Sequence, residues 1–428
     1  MVALARSAFP NGRFGPATLP FSTINRSHLP VGQPTSLPFD FAPRTRIVFG
    51  AGAIDQLGTL ARQFRASRVL LVTDAGILRA GHVARAERSL DAAGLKVVIF
   101  DRVVENPTTP VVEDCLTVAR QAEIDFLVGL GGGSSMDTAK GCNFLLSNGG
   151  RMEDYWGVGR ATKAMLPLIA VPTTAGTGSE CQSFALIAQP ETHVKMACGD
   201  SKAAAKVAIL DPELTLTQPA AVAMTTGMDA LSHAVETAVT KKRNPLSQML
   251  SREAFGLCAR GLRRVMTDPF DLAARGDVLL GAALAGLAIE NSMLGAAHAA
   301  ANPLTARHGV IHGQAVGLML PTVVRFNAQD PELRKEYQQL AIQAGLIHDG
   351  RNCWAATAAL VEYLDGYREL AGLPRSLTAI GIRETELQPL AEDAARQWTA
   401  AFNPRPVTTC DFMELYRSVL HNGERTQH

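Results

Sequence analysis

Neither sign of charge is in excess: Lys plus Arg total 41 and Asp plus Glu total 40 over 428 residues, a formal +1. So weak a net field gives no general attraction for nucleic acid or an anionic membrane, and the expected partner is a small molecule held at a local site. Cysteine is sparse and never paired in pattern. Cys115, Cys142, Cys181, Cys198, Cys258, Cys353 and Cys410 are odd in number and form no CxxC, which argues against a disulfide framework or a cysteine zinc site and for reduced thiols in a cytoplasmic compartment. Long apolar runs are missing too. The longest, residues 278–289, is closed by Asp277 and Glu290, short of the roughly 18 residues a membrane span requires. Acidic residues are absent from the first 39 positions, where Arg6, Arg13 and Arg26 resemble the basic residues of a transit peptide. Prolines there spoil an amphipathic helix, so residues 1–38 are expected to be an irregular N-terminal extension.

What is present suits a globular chain: 47 % hydrophobic and 19 % charged residues, enough to bury a large core. Residues 68–74, 96–101, 125–131 and 166–172 are short, continuously apolar runs that read as strands buried on both faces. Between them, residues 77–93 and 110–122 carry apolar positions at helical spacing. This βαβ series predicts a parallel, doubly wound, Rossmann-like α/β sheet. After Asp211-Pro-Glu-Leu214 the strand signal stops, and Ala-, Leu- and Arg-rich helical stretches run to about residue 420. An α/β domain over 39–213 and an all-α domain over 214–428 are therefore expected, with Pro212 and Pro219 marking the change of period.

One of those strands runs into GLGGGSSMD, residues 129–137, where a helix is expected from near Met136. Glycines let backbone N–H groups approach a phosphate, and a helix N-terminus adds favourable partial charge. The segment is neither GxGxxG, since position 134 is Ser, nor a P-loop, since no Gly-Lys-Ser/Thr follows. A pyrophosphate cradle and a plain tight turn both account for it. A second loop, PTTAGTGSE at 172–180, follows another strand and offers neutral hydroxyl donors; as a turn with an N-cap it needs no ligand. Asp74 also ends a strand. Its carboxylate suits a ribose 2′-OH and would repel a 2′-phosphate, favouring NAD over NADP, although an N-cap role serves equally well.

The helical half holds His233, His298, His308 and His312. In TGMDALSHAVE, residues 226–236, Asp229 and His233 are four apart and share a helix face; Thr226 as N-cap and a hydrogen-bonded core histidine are the alternative roles. His298 sits in a small-residue helix expected to close at Pro303, and His312 opens the next helix. Together with Asp229 and His233 they would give one carboxylate and three imidazoles, a set suited to Fe²⁺ or Zn²⁺ with room for a substrate oxygen. His308 reads as an exposed connector residue.

These motifs, in this order, resemble the iron-containing alcohol dehydrogenase family, which shares a superfamily with glycerol dehydrogenases and dehydroquinate synthases. The resemblance runs from about residue 39 to 405, through FGAG at 49–52, ENPT at 105–108, the Gly131 turn, residues 172–180, 227–236 and 298–327. It implies a dehydroquinate synthase-like fold, metal ligands Asp229, His233, His298 and His312, and NAD with Fe²⁺, or Zn²⁺ in its place, as cofactors. It places dinucleotide contacts on Asp74, Asn106, Gly132, Gly133, Ser134, Asp137, Thr173, Thr174, Thr177, Leu186 and Lys195. Asn106, Leu186 and Lys195 enter only through the resemblance; Lys195 would otherwise read as a solvated surface lysine. The family also implies a homodimer or larger homo-oligomer.

The expected activity is metal-dependent hydride transfer between a primary or secondary alcohol and NAD. A hydroxyacid–oxoacid transhydrogenase or a dehydroquinate synthase-like lyase keeps the fold with other chemistry, and a non-catalytic metal- or nucleotide-binding protein is the reading of another class. The chain departs from the family at Asn302, where alcohol dehydrogenases carry a histidine that relays the alcohol proton. Asn does not titrate, so water, a ribose hydroxyl or His308 would have to serve.

Overall fold

The computed structural model describes residues 38–192, 194–348 and 352–421, so the expected N-terminal extension lies, apart from Pro38, outside the described residues. Residues Phe39–His428 group as one compact unit. Nine strands occur among the described residues: β1 (Arg46–Phe49), β2 (Arg68–Val72), β3 (Lys96–Phe100), β4 (Phe126–Gly131), β5 (Gly157–Val158), β6 (Leu168–Pro172), β7 (Phe184–Ala188), β8 (Lys195–Gly199) and β9 (Val207–Leu210).

Six of them form a parallel sheet in the order β1-β9-β6-β4-β2-β3. The continuous apolar runs follow from burial on both faces. Leu70, Val72, Leu127 and Ala170 feed one core with the helices Thr109–Gln121 and Gly133–Asn148; Val69, Leu71, Phe126, Val128, Ile169 and Val171 feed the opposite core with Leu57–Gln63 and His82–Ala92. Chain order reverses between β2 and β4, so the carboxyl ends of these neighbours flank the crevice where open α/β sheets take ligands. Asp74 follows one and the glycine turn the other.

The structure departs from the sequence reading in several places. The helical stretch at 77–93 is two helices, Ala75–Arg79 and His82–Ala92, because Gly81 at φ 83° breaks the run. The helix after the glycine turn starts at Gly133, earlier than Met136, with Gly132 at the N-cap position. Strands β1 and β9 extend the sheet, and β5-β8-β7 make a separate small sheet in which β7 and β8 pair antiparallel, Leu186 opposite Ala197.

From Ala220 the described chain is helical. Helices Pro245–Thr267 and Leu272–Ser292 pack closely because small residues line the contact: a Cβ on Gly281 would stand 2.6 Å from Cys258 Sγ. Leu272–Ser292 is long and apolar enough to cross a bilayer by length and composition, and 72 % of its apolar window is buried inside the protein. The helix Ala220–Thr237 begins well before Thr226, which therefore caps nothing; its Oγ1 donates to Val222 O at 2.8 Å. Likewise Pro303 does not end its helix. Ala296–His308 runs through it, held against His312–Asn327 and Leu387–Arg396.

Candidate metal centre and adjoining cleft

Helical spacing puts Asp229 and His233 on one face of Ala220–Thr237, His298 projects from the first turn of Ala296–His308, and His312 is the first residue of His312–Asn327. Their side chains meet. Asp229 Oδ1 lies 3.4 Å from His233 Nε2, 3.5 Å from His298 Nε2 and 3.7 Å from His312 Nε2. These separations are long for hydrogen bonds, but the edge of a tetrahedron with ~2.1 Å bonds is about 3.4 Å. Asp229 Oδ1 and His298 Nε2 are buried with no hydrogen-bond partner among the described residues. One donor atom each from Asp229, His298 and His312 lies within 4.8 Å of the others; His233 is outside that tightest group, its ring stacked on His298 at 4.8 Å between centroids.

Glu236 orients the cluster from behind. One carboxylate oxygen lies 2.5 Å from His298 Nδ1, and the other accepts from Ala297 N at 2.7 Å. Occupying Nδ1 turns Nε2 toward Asp229, the usual device for aiming a histidine ligand. His233 is held similarly, its Nδ1 3.2 Å from Gly176 O. Burial opposes charge on every imidazole: it leaves His233 below its ordinary value and His312 down at about 3. At His298 the same burial is outweighed by Glu236 and Asp229, which raise it to about 9. Burial pushes Asp229 up, but His233, His298 and His312 together hold it well below the usual carboxylate range.

A cleft of about 520 Å³ opens from this cluster toward the carboxyl ends of the sheet. It brings together Asn106, Gly132, Gly133, Ser134, Asp137, Thr174, Thr177, Leu186 and Lys195 with Asp229, His233, His298 and His312. Two expected contacts are not in its lining. Asp74 N-caps Ala75–Arg79, Oδ1 accepting from Gly76 N at 2.7 Å and Ile77 N at 3.1 Å, while Oδ2 lies 3.6 Å from where a Cβ on Gly131 would stand. Thr173 is buried beneath its loop, and its N–H donates to Gly131 O at 2.9 Å. The glycines are required by close approach: a Cβ on Gly133 would stand 2.9 Å from Thr177.

Lys195 is not a solvated surface residue. It opens β8 within the cleft, where burial lowers its ammonium against the pull of Asp137 and Asp229. Behind the turn, Lys140 is fully buried and donates to Ser179 O (2.6 Å), Ser179 Oγ (2.9 Å) and Phe184 O (2.9 Å); Ser179 Oγ in turn donates to Asp137 Oδ1 at 2.7 Å. Burial raises Asp137 and lowers Lys140, each opposed by the other's charge. Asn106, which entered only through the resemblance, sits at φ 52°, a left-handed conformation that Asn tolerates better than most residues.

Sequence reasoning missed Glu236 as the partner of His298, and missed Gln397 and Thr399 in the cleft lining. Asn302 lines the cleft and donates from Nδ2 to Gln397 Oε1 at 3.0 Å. His308 ends its helix outside that lining, with Nδ1 3.9 Å from Glu386, so it does not stand in for a histidine at 302.

Comparison with known proteins gives the family of the chain. Residues 43–212 match the family model for iron-containing alcohol dehydrogenase, and residues 223–420 match that for the C-terminal part of the Fe-containing family. The NAD-dependent methanol dehydrogenase of Bacillus methanolicus is 34 % identical over 373 residues, covering 87 % of this chain and 97 % of that protein. The 1,3-propanediol dehydrogenase of Citrobacter freundii is 33 % identical over 385 residues, covering 89 % and 99 %. The crystal structure of a 1,3-propanediol oxidoreductase superposes with a TM-score of 0.86 at 32 % identity, covering 90 % of this chain and 100 % of that one.

Proposed function

The chain belongs to the iron-containing alcohol dehydrogenase family, and on that premise we propose that it interconverts a primary or secondary alcohol and its aldehyde or ketone with NAD. Asp229, His233, His298 and His312 hold the metal, Fe²⁺ or Zn²⁺, since the ligand types alone do not choose between them. The observation that carries this reading is a single cleft with the Gly132 turn on one wall and the carboxylate–imidazole cluster on another. A buried oxygen and a buried imidazole nitrogen without partners, at Asp229 and His298, fit a cation between them. When bound, the metal supplies Lewis acidity toward the alcohol oxygen and the nicotinamide a hydride acceptor.

The chain's own share is positioning. The N–H groups at Gly133 and Ser134 open a helix toward a pyrophosphate, with the Thr177 hydroxyl beside them. Asp137, fixed by Ser179 and Leu186 N, and Lys195 line the same side. Asp74, beside Gly131, disfavours a 2′-phosphate. Asn302 neither takes nor gives a proton, so the alcohol proton leaves without a side-chain relay at that position. The division into an α/β part to residue 213 and a helical part beyond it, a cytoplasmic location and assembly as a homodimer or larger homo-oligomer belong to the same reading.

The test is steady-state NADH formation from free NAD and a panel of alcohols, on iron-loaded, zinc-loaded and metal-free protein. Turnover is expected only with metal, and His298→Ala is expected to lose bound metal and turnover while binding NAD within a few fold of the parent. Metal-independent turnover, or exchange confined to a retained nicotinamide, contradicts the proposal.

A further inference from the structure

We propose that Lys140, which lies behind the cleft lining, is a positioning residue for the dinucleotide: its buried ammonium locks the Ser179 hydroxyl onto Asp137 and so sets the wall that receives NAD. The inference rests on the NAD-linked reading and adds the group that orders the cofactor wall.

Lys140 stands two turns into the helix Gly133–Asn148, whose first residues form the glycine turn. All three of its N–H donors are used, on Ser179 O, Ser179 Oγ and Phe184 O, so the helix is tied to the threonine loop and to the first residue of β7. No carboxylate among the described residues comes within hydrogen-bond distance of it; Asp137 Oδ1 is 3.9 Å away. Burying a charge is costly, and an apolar side chain of similar volume is often at least as stable in such a place. What the ammonium supplies is direction.

An ammonium donates and never accepts. Ser179 Oγ therefore takes a hydrogen from Lys140, which leaves its own single hydrogen for Asp137 Oδ1 at 2.7 Å. The sequence of donors runs one way, from Lys140 through Ser179 to Asp137. Asp137 Oδ2 accepts from Leu186 N at 3.2 Å, and Ser179 N donates to Thr177 Oγ1 at 3.3 Å. Asp137, Leu186 and Thr177 all line the cleft, so one cation fixes wall residues drawn from the helix, β7 and the loop. With a neutral side chain at 140, two carbonyls and the Ser179 oxygen lose their donor, and the hydroxyl hydrogen is free to leave Asp137. The metal cluster is held separately. Glu236 orients His298, and Gly176, which meets His233, is seated on Thr226 of that histidine's own helix.

The experiment uses the metal-loaded parent, Lys140→Met, Ser179→Ala and the double variant. NAD affinity is read by fluorescence titration, KM for NAD and kcat by steady-state kinetics, and metal affinity by competition with a chelator. Lys140→Met is expected to raise the dissociation constant and KM for NAD roughly tenfold or more, with kcat at saturating NAD and metal affinity within a few fold of the parent. Ser179→Ala is expected to lose a similar amount, and the double variant about as much as either alone, because both act through one chain of bonds. Three results overturn the role and leave the alcohol dehydrogenase reading intact: a folded Lys140→Met with parental NAD affinity, losses that multiply in the double variant, or NAD affinity, metal affinity and kcat falling together. Should Lys140→Met fail to fold, Ser179→Ala decides alone, a loss of NAD affinity supporting the role and parental affinity overturning it. A parent that binds no NAD overturns both the role and the reading beneath it.

Discussion

Glu236 touches neither cleft nor solvent, being 3 % exposed, yet it sets the direction in which His298 presents its nitrogen. Glu236→Gln preserves the shape and removes the charge. Loss of such an outer partner weakens metal affinity by about 10–100-fold, so competition with a chelator is expected to show a drop of that size with NAD affinity unchanged. An unaltered metal affinity would falsify the role. Glu180 is buried in the threonine loop, and burial, only partly offset by Lys140, raises it to about 7. Its folded value exceeds its unfolded one, so between roughly pH 4.5 and pH 7 the folded chain holds the proton that the unfolded chain releases, and stability falls as pH rises through that window. Glu180→Gln is expected to remove this decline, on the order of 3 kcal/mol, when denaturant unfolding is followed from pH 4.5 to 7.5; equal slopes in parent and variant would count against it. The four candidate ligands were legible because Asp229 and His233 are four apart and the segment around His298 is built of small residues. Glu236 stood in the same run without a signal, because its partner is 62 positions away on another helix.

At the scale of elements, legibility tracked the continuity of apolar runs. β2, β3, β4 and β6 were readable as such runs, whereas β7 and β8, of similar length, were not: Lys195 opens β8, and Leu186 and Lys195 line the cleft. Pro303 misled because it removes a helical N–H, a local loss that packing on two neighbouring helices overrides. Packing also explains a glycine that carries no turn. Gly286 in Leu272–Ser292 lies against the threonine loop so closely that a Cβ would stand 2.3 Å from Gly178 O and 2.9 Å from its Cα. Backbone cannot yield as a flexible side chain does. Gly286→Ala is expected to destabilise the protein by about 1–3 kcal/mol and to weaken NAD binding by displacing the loop, measured by denaturant unfolding and fluorescence titration. A variant equal to the parent in both would show that the contact is slack.

For the molecule as a whole, the candidate ligands are contributed by three helices, so a bound cation ties together segments spread over more than 80 residues. A ligand present at 100 times its dissociation constant stabilises the folded state by about 2.7 kcal/mol. Chelation is therefore expected to lower the calorimetric midpoint of the loaded parent and to leave that of His298→Ala unmoved; a parent indifferent to chelator would argue that the cluster is not a metal site. The near-balance of charge means that no long-range field assists capture of a nucleotide, which leaves recognition to the cleft itself.

The threonine loop bears on the helical half through Gly176 and Gly178, glycine set directly on helix backbone, and on the glycine-turn side through Thr174 beside Gly132, Thr177 beside Gly133, Thr173 N–H on Gly131 O, and Ser179 bonded to Lys140 and Asp137. A protein that must admit a dinucleotide and let it go has to part somewhere. Main chain seated on main chain resists sliding, and the Ser179 bonds to Lys140 and Asp137 tie the other side, so the loop itself is a poor place for it. Bonded on both faces, the loop links the glycine turn to the helices, so a displacement of either is passed to the other.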